Sequence, residues 1–233
     1  MDLKGDSLFL DGDSAHYIIS VLRCKKGDDL LVFDGQSRFF KGVIGEIGKN
    51  SLTIIGAPYP PPETESSLDL ILCQGLLKGS KMDTVIQKAT ELGIKRIIPM
   101  ATERCQLHET RKLFRWHKIA LEASRQCGRV VVPDISPVMP VMAVTSLLTA
   151  SGAASFIFYE RGGANLKALN PPKQGVQCYV LVGPEGGFTP EELSVSTRAG
   201  ATAVSFGRRI LRGETAAISA VTLLQFLYGD LSP

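Results

Sequence analysis

The pattern of hydrophobic and polar positions changes at a proline-rich segment, residues 56–67 (GAPYPPPETESS). Before it, apolar residues occur in short extended runs at residues 29–35, 38–48 and 51–58, separated by Gly, Asn and Asp. Such short runs, divided by turn residues, favour a small β-barrel. Residues 14–23 place apolar positions at helical spacing and predict one short helix. The proline-rich segment itself resists both helix and sheet, so we predict a domain boundary there.

After this segment, extended apolar runs alternate with amphipathic helices. The pattern predicts strands at residues 68–76, 95–102, 154–160, 177–183 and 201–207, and helices at residues 79–92, 111–127, 189–199 and 214–227. Alternating strands and helices are typical of a mostly parallel sheet covered on both faces. The sequence therefore predicts an α/β protein with domains at residues 1–66 and 67–233.

Composition excludes several classes of protein. The chain is 44% hydrophobic and 21% charged, which suits a globular fold. We find no signal peptide and no apolar run approaching the roughly 20 residues of a membrane span. The 5 cysteines contain no CxxC pair, so we expect neither a disulfide framework nor a bound metal. Reduced thiols predict a cytoplasmic protein without a membrane partner.

Basic residues cluster locally although the net charge is only +3. Residues 103–129 hold seven Lys or Arg against three acids: Arg104, Arg111, Lys112, Arg115, Lys118, Arg125 and Arg129 against Glu103, Glu109 and Glu122. A second group contains Arg208, Arg209 and Arg212. Such patches serve phosphate contacts or form a solvated helix face, and charge alone favours neither.

A glycine loop joins a predicted strand to a predicted helix in residues 181–193 (LVGPEGGFTPEEL). Thr189, Pro190 and Glu192 form a strong helix start with a predicted capping box. Glycines let a ligand approach the backbone, and ligands of open α/β sheets bind at the carboxyl ends of strands. The loop fits neither the dinucleotide fingerprint nor the P-loop. A tight turn without a ligand stays the alternative.

A second loop of the same kind occupies residues 207–217 (GRRILRGETAA). It also connects a predicted strand to a predicted helix, and it carries three arginines. Two such loops at neighbouring strand ends predict one pocket, with the arginines beside it for an anionic substrate.

These two loops resemble the ribosomal RNA small subunit methyltransferase E family, which belongs to the knotted SPOUT methyltransferases. The resemblance extends over nearly the whole chain, through VLRCKKGDDLLVFDG, LKGSKMDTVIQKATELGIKRIIP, TER and EASRQCGRVVVP. Gly213 departs from the pattern, since a residue with a side chain is expected before the ETA motif. That departure puts a side-chain role at this position in doubt.

The resemblance implies an N-terminal PUA-like β-barrel that helps to hold RNA and a C-terminal SPOUT α/β domain with a deep trefoil knot. It implies a homodimer that binds S-adenosylmethionine. It further implies methylation of N3 of a uridine, uridine 1498, in 16S ribosomal RNA of the small ribosomal subunit.

The resemblance and the loop positions together predict the site residues. For the cofactor these are Leu181, Val182, Gly183, Pro184, Gly186, Gly187, Phe206, Gly207, Ile210, Leu211, Thr215 and Ala216. Leu181, Ile210 and Leu211 are expected to enclose adenine. Arg212 is the predicted catalytic residue, because a cation stabilises the developing uracil anion or grips a phosphate. The predicted RNA contacts are Arg23, Lys25, Lys26, Lys78, Lys81, Arg104, Arg125, Arg129, Arg208 and Arg209.

Two rival functions remain open from the sequence. A ribose 2′-O-methyltransferase of the same superfamily would share the pocket, and an RNA-binding module would retain only the basic surfaces. A dehydrogenase is disfavoured because the dinucleotide fingerprint is absent. No general base is assigned.

Overall fold

The computed structural model describes residues 2–4, 6–35, 38–106, 109–166, 172 and 175–232. The chain forms two compact units, Met1–Thr64 and Glu65–Pro233. The proline-rich segment predicted a boundary after residue 66, and the division falls after residue 64. Each unit has hydrophobic clusters of its own.

The first unit contains a five-stranded antiparallel sheet in the order β1-β2-β5-β4-β3. Its strands are β1 (Asp2–Lys4), β2 (Ser7–Asp11), β3 (Asp29–Phe33), β4 (Phe39–Ile47) and β5 (Ser51–Tyr59). Alternating residues of these strands enter the core, which includes Leu8, Phe40, Ile44, Leu52 and Ile54.

The predicted short helix differs from the observed one. Helix α1 (Gly12–His16) begins two residues earlier and passes into a π-helical turn, Tyr17–Val21. Arg23 follows with a φ of 57°, which is uncommon for a residue other than glycine. The helical spacing of apolar residues therefore predicted a helix here, but it could not predict that the second half would be π-helical.

The second unit is built on a parallel sheet in the order β12-β10-β11-β6-β7-β8, and β9 also pairs with β7. The strands are β6 (Leu70–Gly75), β7 (Arg96–Ala101), β8 (Asp134–Ile135), β9 (Met139–Pro140), β10 (Ala154–Phe158), β11 (Cys178–Val182) and β12 (Thr202–Val204). Every one of these pairings is parallel. The predicted α/β class is confirmed, and the trefoil knot stays a prediction.

Helices cover both faces of this sheet, as predicted. They are α2 (Lys81–Glu91), α3 (Leu113–Cys127), α4 (Val141–Ser151), α5 (Pro190–Arg198) and α6 (Gly213–Tyr228). Leu70 and Leu72 of β6 pack with α2, α3 and α6, whereas Ile71 and Cys73 pack on the opposite face with α4. None of the helices in the described ranges is both long and apolar enough to cross a membrane.

Arg129 corrects one of the predicted RNA contacts. Its side chain is only 3% exposed and forms an ion pair with Glu65 at 2.6 Å. A second guanidinium nitrogen donates to the backbone carbonyls of Thr90 and Ile94, at 2.9 and 2.8 Å. Its donors are therefore used inside the protein, and we remove Arg129 from the RNA-binding candidates.

Glu65, which is partly buried, is the centre of this network. Its Oε1 also accepts hydrogen bonds from the backbone amides of Val130 and Val131, both at 3.1 Å. Burial alone would raise the pKa of Glu65, but Arg129, the amide of Val131 and Lys95 together hold the pKa below its ordinary value. The carboxylate consequently stabilises the folded state only while it is ionised.

Glu65→Gln is expected to lower the free energy of unfolding at pH 7 by about 3 kcal/mol, because it leaves the buried Arg129 without a counter-charge. Because the folded pKa lies below the unfolded value of about 4.3, this stabilisation is complete above that value. It disappears as the pH falls through the folded pKa. Urea unfolding at pH 7 and at more acidic pH measures both effects.

Glu122→Gln is the matched control, since Glu122 pairs with Arg125 at 2.8 Å on the surface of α3. We expect a loss below about 0.5 kcal/mol there. An equal loss for both variants, or a difference between wild type and Glu65→Gln that persists in acid, would contradict the assigned role of Glu65.

Candidate functional site

A cavity of about 240 Å³ lies at the carboxyl ends of β10, β11 and β12. Two loops form most of its wall: the glycine loop 183–188 that follows β11 and the loop 205–211 that follows β12. The lining residues are Phe158, Tyr159, Glu160, Val182, Gly183, Pro184, Glu185, Gly186, Gly187, Phe188, Ser205, Phe206, Gly207, Arg209, Ile210, Leu211, Gly213 and Ala216. The two glycine-bearing loops, which the sequence predicted to form one pocket, therefore do share one.

Most of the predicted cofactor residues line this cavity, and two do not. Leu181 is fully buried in the cluster on the α4 face of the sheet, where it packs with Ile157 and Phe188. Thr215 is exposed on the first turn of α6 and is absent from the cavity wall. Of the three apolar residues predicted to enclose adenine, Ile210 and Leu211 line the cavity and Leu181 does not.

The glycines of the loop are required by contacts within the protein. A Cβ on Gly186 would lie 2.9 Å from the Cβ of Arg104, and one on Gly183 would lie 3.1 Å from the carbonyl carbon of Gly187. Gly187 also has a φ of +67°, and a Cβ there would lie 3.2 Å from the Glu160 carboxylate. The absence of side chains thus lets the loop fold tightly against its neighbours and leaves its backbone at the cavity.

Gln74, at the end of β6, was not predicted and fixes the start of the glycine loop. It is fully buried, and its Nε2 donates to the carbonyls of Gly183 at 3.1 Å and Gly75 at 2.9 Å. Its Oε1 is buried and has no hydrogen-bond partner among the residues that the structure describes. The sequence did contain a signal for this role: Gln74 is a polar residue in an otherwise apolar strand, and a buried side-chain amide needs hydrogen-bond partners.

Glu185 ties the same loop to the start of α2. Its Oε1 accepts from the amide of Lys78 at 3.2 Å and from Nζ of Lys81 at 2.9 Å. Burial alone would raise its pKa, but Lys81 and backbone amides lower the pKa of Glu185 below the usual value. Such a strongly ionised carboxylate is a weak base, so a structural role fits Glu185 better than proton abstraction.

Apolar and acidic side chains complete the cavity. The rings of Phe158 and Phe206 stack with centroids 4.3 Å apart, and both line the wall. Ile210 is 82% exposed beside them, which leaves its apolar surface for a ligand to cover. The Glu160 carboxylate, close to Gly187, faces the same space and offers acceptors to a cationic or hydroxyl-bearing ligand. Phe158, Tyr159 and Ser205 were missed because they lie outside the two glycine motifs, and Phe188 was missed although it lies within the first of them.

The predicted capping box at the start of α5 is confirmed. Thr189 Oγ1 accepts from the amide of Glu192 at 3.1 Å, and Glu192 Oε2 accepts from the amide of Thr189 at 3.0 Å. The other oxygen of Glu192 accepts from the amide of Glu103 at 2.8 Å. One carboxylate thus joins the loop after β7 to the end of the glycine loop.

The positions of the arginines relative to the cavity differ from the prediction. Arg209, expected at RNA, lines the cavity, whereas Arg212 is exposed at the position before α6 and lies outside the wall. Arg104 donates to the carbonyls of Gly186 at 3.0 Å and Phe188 at 3.3 Å, so it supports the glycine loop. Arg208 is exposed.

Gly213, the departure from the family pattern, lies against Leu77. A Cβ there would be 2.6 Å from Cδ2 of Leu77. Gly213 is buried and lines the cavity, so the missing side chain gives Leu77 its space.

The remaining predicted RNA contacts lie on the surface of both units. Arg23, Lys25 and Lys26 are exposed in the loop after the π-helical turn of the first unit. Lys78 is exposed at the start of α2, and Arg125 pairs with Glu122 on α3. Across the described residues, no group of three or more His, Cys, Asp or Glu is arranged to hold a metal ion.

Comparisons with known proteins agree with this architecture. Residues 64–225 match the family model described as the RNA methyltransferase domain, and residues 10–55 match the RNA methyltransferase PUA domain. The parallel sheet with its loop-walled cavity thus falls within the class of RNA methyltransferases.

Similar full-length proteins narrow the class. A ribosomal RNA small subunit methyltransferase E from Buchnera aphidicola is 34% identical over 95% of this chain and 88% of its own length. One from Rickettsia conorii is 31% identical, over 91% of this chain and 86% of its length. The crystal structure of the Neisseria gonorrhoeae protein, bound to S-adenosyl methionine, has a TM-score of 0.89 at 29% identity, covering 99% of this chain and 97% of that one. This chain belongs to the ribosomal RNA small subunit methyltransferase E family.

Glu192→Ala is expected to lower the free energy of unfolding by about 2 kcal/mol, because the buried amide of Thr189 and the amide of Glu103 lose their acceptor. Glu191→Ala, one residue earlier in the same helical turn and exposed, is the matched control and should change stability by less than about 0.5 kcal/mol. Urea unfolding of the three proteins measures the difference. Equal stabilities for the two variants would show that the capping box does not hold the loop.

Proposed function

We propose that this protein transfers a methyl group from S-adenosylmethionine to N3 of a uridine in small-subunit ribosomal RNA. The observation that carries the proposal is the cavity formed by two glycine-bearing loops at adjacent strand ends, in a chain of this family. The relatives named for ribosomal RNA methylation and the S-adenosyl methionine-bound neighbour support both the donor and the substrate class.

The cavity residues suit this donor chemically. Backbone groups of Gly183, Gly186 and Gly187 offer hydrogen bonds without side-chain obstruction, and the apolar surfaces of Phe206, Ile210 and Leu211 suit a flat base. Glu160 provides a negative charge for a cationic donor. When bound, S-adenosylmethionine supplies an activated methyl group.

The chain itself must orient the uracil and stabilise charge. Uracil N3 carries its proton at neutral pH, so loss of this proton requires that the resulting uracil anion be stabilised. Arg212 is our candidate for that cation, because its neighbours Leu211 and Gly213 both line the cavity. Arg209, which reaches the cavity wall, is the alternative cation for the same charge. Alignment of N3 with the methyl carbon accounts for the rest of the rate gain.

RNA binding is assigned to exposed cations in both units. In the first unit these are Arg23, Lys25 and Lys26, and the positive φ of Arg23 holds that loop in an uncommon conformation. In the second unit, exposed Arg208 lies within the loop after β12, and exposed Lys78 donates its amide to Glu185 of the glycine loop. The homodimer implied by the family is part of the proposal, and the exposed Leu223 and Phe226 of α6 favour a covered surface.

The proposal is tested by incubating the protein with methyl-labelled S-adenosylmethionine and small ribosomal subunits that lack the modification. Nucleoside analysis by mass spectrometry should find 3-methyluridine. Gly187→Ala, which strains the loop and moves Glu160, should abolish most incorporation. Label that resists alkaline hydrolysis at one internucleotide bond would instead identify a ribose 2′-O-methyltransferase. Absence of donor binding in calorimetry would leave only an RNA-binding module.

Arg212→Ala is expected to reduce kcat by about 10²-fold with little change in donor affinity, as removal of one charge-stabilising group does elsewhere. Arg198→Ala, an exposed arginine in the last turn of α5, is the control and should keep full turnover. Single-turnover kinetics and donor titration measure the two quantities. Normal turnover by Arg212→Ala, with a defect in Arg209→Ala, would assign the role to Arg209.

A further inference from the structure

An exposed aromatic ring lies among cations at the beginning of α3. Phe114, the second residue of the helix, is 83% exposed, the highest exposure among the large hydrophobic side chains of the described residues. Its neighbours in sequence point inward, since Trp116 is buried and Leu113 packs on the core. An exposed ring forgoes the hydrophobic stabilisation of the folded state, so it is available to a partner.

The charges around Phe114 are positive. Lys118, four residues after Phe114, shares its side of the helix, and Arg111 lies in the chain just before the helix; both are exposed. Neither forms an ion pair within the described ranges, whereas Arg115 pairs with Asp83 at 2.9 Å. Glu109 is the exposed acidic residue nearest in sequence. An aromatic ring between unpaired cations is complementary to an anionic polymer that carries flat bases.

This surface is continuous with the cavity through named contacts. Nζ of Lys112, beside Phe114, donates to the carbonyl of Gly79 at 2.9 Å. Lys78, the residue before Gly79, donates its amide to Glu185, and Glu185 lines the cavity. Lys78 and the start of α3 therefore lie next to the glycine loop that lines the cavity.

We propose that the Phe114 surface, formed by Lys78, Arg111, Phe114 and Lys118, binds an unpaired nucleotide that flanks the target uridine. The ring stacks on the base, and the cations contact the adjoining phosphates. The inference rests on the proposed function, because it takes RNA as the substrate. The charge and the continuity with the cavity select RNA over a protein partner.

Phe114→Ala and Phe114→Tyr provide a matched pair. Fluorescence anisotropy with a labelled oligouridylate should show about tenfold weaker binding by Phe114→Ala, while Phe114→Tyr, which keeps a stacking ring, binds like wild type. With small subunits as substrate, Phe114→Ala should raise KM and leave kcat unchanged. Met142→Ala removes another exposed apolar side chain, on α4, and should change neither quantity.

The contribution of charge is measured separately with Arg111→Gln. Losing one phosphate contact should weaken binding and reduce the slope of log Kd against log salt concentration by about 0.7 for single-stranded RNA. The same oligouridylate titrated at several salt concentrations gives this slope. An unchanged slope would exclude Arg111 from the phosphate contacts and overturn the proposed surface.

Donor titration separates this inference from the proposed function. If Phe114→Ala binds S-adenosylmethionine and methylates small subunits with wild-type KM, the Phe114 surface is not an RNA site although the function stands. If wild type binds oligouridylate through Phe114 but transfers no methyl group, the function fails and the surface stands. A change in oligomeric state on Phe114→Ala, seen by sedimentation without any loss of RNA binding, would assign the surface to a second copy and overturn the inference.

Discussion

The structure of the site depends on the close approach between the end of β6 and the glycine loop. A Cβ on Gly75 would lie 2.5 Å from the backbone nitrogen of Pro184, a distance that no side chain tolerates. Because β6 and β11 are parallel neighbours, both strands end at the same edge, and the loop after β11 must turn across β6. Side-chain-free backbone at this crossing is what allows the cavity to form.

Polar contacts then hold the loop from several sides. Gln74 donates to the carbonyl of Gly183, the first residue of the loop, and Glu185 joins the loop to the start of α2. Arg104 donates to carbonyls at the end of the loop. The capping box of Thr189 and Glu192 fixes the point where the loop becomes α5. A loop held in this way keeps its backbone groups oriented before any ligand arrives, which lowers the entropic cost of binding.

The arginines of this protein serve different purposes. Arg129 is buried and balances Glu65, Arg104 supports a loop, Arg209 reaches the cavity, and Arg111 is exposed beside Phe114. A guanidinium with its donors satisfied inside the protein has none left for a phosphate. The basic cluster at residues 103–129 is therefore a mixture of structural and surface cations, and only the exposed members contribute to the positive field of the surface.

Local sequence was sufficient for features whose interactions are local. The periods of α2, α3, α5 and α6, the capping box of Thr189 and the two glycine loops all depend on residues within a few positions of one another. Helix α4 escaped prediction because its sequence, VMAVTSLLTAS, is apolar on most sides and rich in β-branched residues, so it shows no clear helical stripe. The two-residue strands β8 and β9 are too short to produce a pattern.

The sequence by itself determined the alternation of strands and helices and the pair of loops that form the cavity. Only the tertiary structure decided that Arg129 is buried, that Leu181 faces the opposite core, and that Arg209 rather than Arg212 reaches the cavity wall. The physical reason is that the burial of a side chain, and the neighbours that it faces, depend on strand order. Strand order brings together segments far apart in the chain, such as Gly75 and Pro184.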